Sequence, residues 1–130
     1  MSLEGMILEA LSRVIARLDA LDRRIEDLKK DLEAFASTVY TQCASEYLNS
    51  KLTRTGLPAG VDAIAKTEKA LYIIKFKIRA SRIDAEKLER VAPHVAALTG
   101  LAEESLEYVP LIVTSRFEGE PPPSVRVIIC

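Results

Sequence analysis

Ten apolar residues, Ile7, Leu11, Val14, Leu18, Leu21, Ile25, Leu28, Leu32, Phe35 and Val39, succeed one another at alternating gaps of four and three. A mean gap of 3.5 keeps them on one side of a helix, and burial of such a seam against another helix drives left-handed supercoiling. A seam of this length outruns what a small domain can cover. Residues 1–39 are therefore expected to form a coiled-coil oligomerisation helix and the chain to be a homo-oligomer. With Leu11 at position a, the a set is Leu11, Leu18, Ile25, Leu32 and Val39, and the d set is Ile7, Val14, Leu21, Leu28 and Phe35. Leu-rich a positions are not the usual dimer choice. In a parallel dimer Arg17 would meet Asp22, but Arg24 would meet Lys29, so strand number and direction stay open. On the exposed face Asp19–Arg23 and Glu26–Lys30 have the favourable acid-first spacing, worth about 0.3–0.5 kcal/mol each.

The remainder suits one modest globular domain, residues 40–130, with a boundary expected inside the long helix near Ala36. The whole chain carries 18 basic and 19 acidic residues, which gives no global argument for nucleic acid or membrane binding. The distribution is more informative: residues 49–90 hold ten basic against five acidic groups, whereas residues 91–130 hold two against five. The middle segment is locally basic. Apolar runs are too short for a membrane span, and the start lacks a signal peptide's charged head and apolar core, so a cytoplasmic location is expected. Cys43 and Cys130 have no CxxC neighbour and read as two free thiols. One Asn and one Gln beside 28% charged residues is a balance seen in proteins from hot environments.

Helical spacing continues through Ala44, Tyr47 and Leu48 to about Leu52, where Arg54-Thr55-Gly56-Leu57-Pro58 breaks it. Val61–Ala65 reads as a strand, Lys66–Lys69 as a turn and Leu71–Arg79 as a second strand, together a hairpin. Along the second strand Tyr72, Ile74, Phe76 and Ile78 face one way and Lys75, Lys77 and Arg79 the other. Asp84 reads as the N-cap of a helix with Leu88, Val91, Val95 and Leu98 buried, Pro93 kinking it and Gly100 closing it. Val109–Phe117 and Val125–Ile129 read as the last two strands, with Pro121-Pro122-Pro123 a stiff turn between them. The order predicts an α/β domain with a mixed sheet and helices packed on it.

Asp62 in the first strand and Lys77 in the second, followed directly by a helix, give the domain its one chemical pattern. Val61-Asp62-Ala63, the run Tyr72-Ile73-Ile74-Lys75-Phe76-Lys77, and the helix and strand that follow resemble the core of the PD-(D/E)xK nuclease superfamily. The resemblance covers about residues 36–130, and is to the form found in archaeal coiled-coil-containing proteins. It implies a restriction-endonuclease-like fold. In that family an Asp and an acid two residues before a Lys hold a divalent metal that activates water against a phosphodiester. Here Asp62 matches the first position and Lys77 the last, but Lys75 stands where the second acid belongs. Glu46 matches a Glu that some members contribute from their first core helix. Mg²⁺ held by carboxylates tolerates such a charge reversal poorly.

The expectation is a homo-oligomer displaying an inactive nuclease-like domain, with no cofactor, acting as an interaction or DNA-associated module. Lys75, Lys77, Arg79 and Arg82 are the candidate phosphate-contacting residues. The cluster lacks the interleaved aromatics of a single-strand binder. Two other readings compete: a Mg²⁺-dependent nuclease using Glu46, Asp62 and Lys77, and a purely structural oligomer in which Asp62 merely pairs with a neighbouring lysine. His94 has no ligand-spaced partner, and no Gly-rich phosphate loop or Ser-His-Asp set occurs.

Overall fold

The computed structural model describes residues 2–99 and 107–130. Its elements are α1 (Leu3–Leu48), β1 (Ala63–Lys66), β2 (Ala70–Ser81), α2 (Arg82–Leu98), β3 (Glu107–Glu118) and β4 (Arg126–Ile129). The chain divides into two compact units, Met1–Phe35 and Ala36–Cys130. It is mixed α/β, and among the described residues no helix is long and apolar enough to cross a membrane.

The first unit is helix alone. Nine of the ten seam residues lie in it, and all ten are between 41% and 68% exposed among the described residues. Its ion pairs include Arg13–Glu9 at 2.9 Å and Lys29–Glu26 at 3.8 Å. Glu26 thus turns to Lys29, one residue short of the expected Lys30.

In the second unit the last turns of α1 change character. Ala36, Tyr40, Cys43, Ala44 and Leu48 recur at helical spacing and pack on one face of the sheet with Ala63, Ala65, Ile74, Leu111, Val113 and Ile128. Three alanines in this layer, fully or almost fully buried, let the helix approach closely. The helix stops at Leu48, four residues before the expected end. Asn49 takes φ +49°, a left-handed conformation that Asn tolerates, and the N–H groups of Asn49 and Ser50 satisfy the carbonyls of Glu46 and Ser45. Asn49 therefore ends the helix well upstream of Gly56.

The sheet has the order β1-β2-β3-β4, with β1 antiparallel to β2 and the other two pairs parallel. Thr67 makes the β1–β2 turn, its N–H and hydroxyl both donating to the Ala70 carbonyl. On the face opposite α1, helix α2 buries Ala85, Leu88, Ala92, Val95 and Ala96 over Leu71, Ile73 and Ile112. The stripe shares only Leu88 and Val95 with the expected one. Val91 is half-buried, and Leu98 is 76% exposed. Ser81, not Asp84, is the N-cap; Asp84 stands three residues inside and accepts from the Ser81 N–H at 2.9 Å. Pro93 lies within α2, and Gly100 falls outside the described residues.

The Pro-rich segment holds the expected turn, the Val125 N–H donating to the Pro122 carbonyl at 3.1 Å, but it joins parallel strands. Because β3 and β4 are parallel, the seven residues Gly119–Val125 must carry the chain back from Glu118 to the level of Leu111, which pairs with Arg126. Seven strand residues span roughly 23 Å at about 3.3 Å each. The segment thus stands as a strap where a crossover helix would normally be, and it closes in a turn before β4. Gly119, at φ +82°, turns the chain out of β3, and the Ser124 hydroxyl anchors the strap to Glu89 of α2 at 2.6 Å.

Candidate functional site

Asp62 precedes β1 and lies opposite Lys75, because Ala63 pairs with Ile74. Its carboxylate accepts the Phe76 N–H at 2.8 Å and meets the Lys75 ammonium at 3.3 Å. Both side chains of the pair are about one-third exposed, so the ion pair contributes about 0–1 kcal/mol. The hydrogen bond from Phe76 to a charged oxygen is the stronger interaction, worth about 1.5–3 kcal/mol. Asp62 therefore acts first as a substitute carbonyl at the end of the β1–β2 ladder. The lysine at the position of the second acid closes over the one carboxylate present.

Glu46 does not join it. Asp62 and Lys75 share the sheet face of Ile73, which α2 covers, whereas Glu46 belongs to the helix on the other face. Glu46 is exposed and accepts a hydrogen bond from Gln42. Among the described residues no three His, Cys, Asp or Glu side chains come together as a metal-binding group. The residues present do not fit a two-carboxylate Mg²⁺ site.

Lys77 reaches the Asp84 carboxylate at 2.6 Å. Burial pushes the Asp84 carboxyl up, but the Lys77 and Ser81 hydrogen bonds and the Lys77 charge together outweigh it and leave it below its ordinary value. Lys77 thus secures the first turn of α2. Arg82 pairs along the helix with Glu86 at 3.3 Å. Arg54, also in the basic segment, donates to Thr41 and Ser37 of α1 and covers the Phe76 ring at 5.3 Å. Of the four cations read as phosphate ligands, Lys75, Lys77 and Arg82 are neutralised by acids of the same unit.

Arg79 is different. The ladder between β2 and β3 is interrupted after Lys77–Thr114, and the buried Thr114 hydroxyl sits 3.0 Å from the Ile78 carbonyl freed there. Pairing then resumes with Arg79 directly opposite Arg116. Both are exposed, and among the described residues neither side chain has a hydrogen-bond or ion-pair partner. Like charges directly opposite in a sheet destabilise it. The pair lies at the C-terminal ends of two adjacent parallel strands, beside the start of α2, where open α/β sheets receive ligands. Nothing local in the sequence marks Arg116, which stands in an acidic third of the chain; only the parallel register brings it to Arg79.

Cys43 and Cys130 are not free thiols. They form a disulfide between the tail of α1 and the residue after β4, with Cα atoms 6.4 Å apart. Cys130 lies two residues after Ile128, which packs in the α1 layer, so alternation along the strand sets it on the α1 face. Such bonds belong to oxidising surroundings or to proteins of hyperthermophiles, which bears on the expected cytoplasmic location. His94 is exposed on α2. No family model matches the sequence, and no solved structure matches the chain significantly.

Proposed function

We propose that this chain is a self-associating nucleic-acid-binding module rather than a nuclease. The seam from Ile7 to Val39 would join copies of the chain, and Arg79 and Arg116 would grip backbone phosphate. The observation that carries the reading is the opposed arginine pair: its mutual repulsion lacks an internal counter-charge among the described residues, and a phosphate oxygen pair would supply one. The closure of Lys75 over Asp62 argues against metal-dependent cleavage, since a cation occupies the place of a ligand. The restriction-endonuclease-like core remains the architecture to which these residues would belong.

The test is binding of labelled duplex DNA followed by fluorescence anisotropy across a salt series. Removing one phosphate-binding cation lowers the logarithmic salt slope by about 0.9, so Arg79→Ala with Arg116→Ala should lower it by about 1.8. Arg82→Ala, which removes a cation already paired with Glu86, should lower it by much less. An unchanged slope in the double variant, or no binding by the wild type at low salt, would sink the reading.

A further inference from the structure

The other end of the sheet carries a second basic feature, built from three separate segments. Where α1 ends, the β1–β2 turn folds over and β4 begins, an open groove of about 940 Å³ is lined by Tyr47, Tyr72, Lys66, Lys69, Glu68 and Arg126, among others. Cations outnumber acids among these residues. The Arg126 guanidinium lies over the Tyr72 ring at 5.8 Å, and its Nη1 donates to the Tyr72 hydroxyl at 3.3 Å. Ring and guanidinium thus hold each other in place. Tyr47 is 55% exposed and, among the described residues, makes no ring contact or hydrogen bond.

We infer that this groove binds the planar base and phosphate of a nucleotide, as a single strand of nucleic acid presents them. A purely apolar ligand would make no use of Lys69 and Arg126, and a bare polyanion would make no use of an outward-facing phenol. A base stacked on Tyr47 with its phosphate towards Arg126 and Lys69 engages both, which is the pairing that single-strand grooves use. The carbonyl end of α1 carries about half a negative charge. Asn49 and Ser50 already satisfy two of its carbonyls, so phosphate is directed to the β4 side. The size is at the upper end of the roughly 300–1,000 Å³ typical of small-ligand sites, and the open form suits a strand passing through. This inference does not depend on the Arg79–Arg116 reading, which concerns the opposite ends of β2 and β3.

The experiment measures anisotropy of fluorescein-labelled dT12 with the full chain, and its competition by dTMP. Loss of one stacked base should weaken binding roughly 5- to 160-fold in Tyr47→Ala, with Tyr47→Phe near wild type because the ring remains. Arg126→Ala should lower the salt slope by about 0.7. Competition by dTMP at micromolar concentration would identify a free nucleotide as the ligand, and binding of dT12 alone would identify the strand; either supports the site. The Arg79→Ala, Arg116→Ala double variant should keep the Tyr47-dependent binding. Equal affinity in wild type and Tyr47→Ala, equal weakening in Tyr47→Phe and Tyr47→Ala, or no binding of either probe at low salt overturns it.

Discussion

Reduction of the Cys43–Cys130 bond should remove about 4–5 kcal/mol of stability from the α/β unit. The bond closes a loop with a sequence separation of 87. In the chain-entropy description a loop of that size removes about 13 cal/mol/K from the unfolded chain beyond a constant of about 2, or roughly 4.6 kcal/mol at 25 °C. A domain of this size has a total stability of about 5–14 kcal/mol, so the loss is a third of it or more. The effect can be read without interference from the long helix. The protein has four Tyr and no Trp, and Tyr40 is buried with its hydroxyl against Ser115, so near-UV circular dichroism reports on the sheet packing. Guanidinium titrations of oxidised protein, reduced protein and the Cys43→Ala, Cys130→Ala double variant should give a lower midpoint in the last two. They should also give a steeper denaturant dependence, because the open chain exposes more surface. Agreement between reduced wild type and the double variant separates the cross-link from side-chain packing. Two thiols titrating in the unreduced, denatured protein, or identical midpoints with and without reductant, would refute the reasoning.

Leu21→Asp with Leu28→Asp should abolish the proposed self-association in sedimentation, since partnerless carboxylates would be buried at the seam; a monomeric wild type at high concentration contradicts the seam's role. Asp84 has a folded-state pKa below its ordinary value of 3.8, so its contribution is full above that pH and is lost as pH falls through 3.8 to the lowered value. Asp84→Asn should be less stable than wild type at neutral pH, with the gap narrowing in acid; a gap that is the same at both ends of the titration contradicts the Lys77 pairing. Wild-type protein with Mg²⁺ or Mn²⁺ should leave plasmid DNA intact, whereas wild-type cleavage that disappears in Asp62→Ala would show that Lys75 does not disable the site. Lys75→Glu is the informative reversal: it sets a second carboxylate opposite Asp62, and metal-dependent cleavage there would support nuclease ancestry.

The order of elements was legible because each carries its own period: 3.5 along the seam, two along Tyr72–Ile78, three to four along Ala85–Ala96. What escaped depended on through-space register. Asn49 ended α1 by adopting a backbone conformation that no local pattern announced. Leu98 obeys the helical stripe yet is exposed at the last turn of α2. Asp62 and Lys75 were recognisable as a candidate pair because a hairpin places them opposite each other. Arg79 and Arg116 were not, since a parallel pairing across an intervening helix fixes their alignment. Cys43 and Cys130 have no local signature at all, because their meeting requires the whole sheet between them to be in place.

The strap from Gly119 to Val125 acts as a ruler. Its closing turn, in which the Val125 N–H meets the Pro122 carbonyl, delivers Arg126 opposite Leu111 and Ile129 opposite Thr114. Side chains alternate along a strand, and a slip of one residue would turn every β4 side chain to the opposite face. Cys130 would then point towards α2, away from Cys43 on α1, and Arg126 would leave the Tyr72 ring. Three consecutive prolines with fixed φ, closed by this turn, thus favour the register in which Cys130 reaches Cys43. A flexible loop of equal length would leave that choice open.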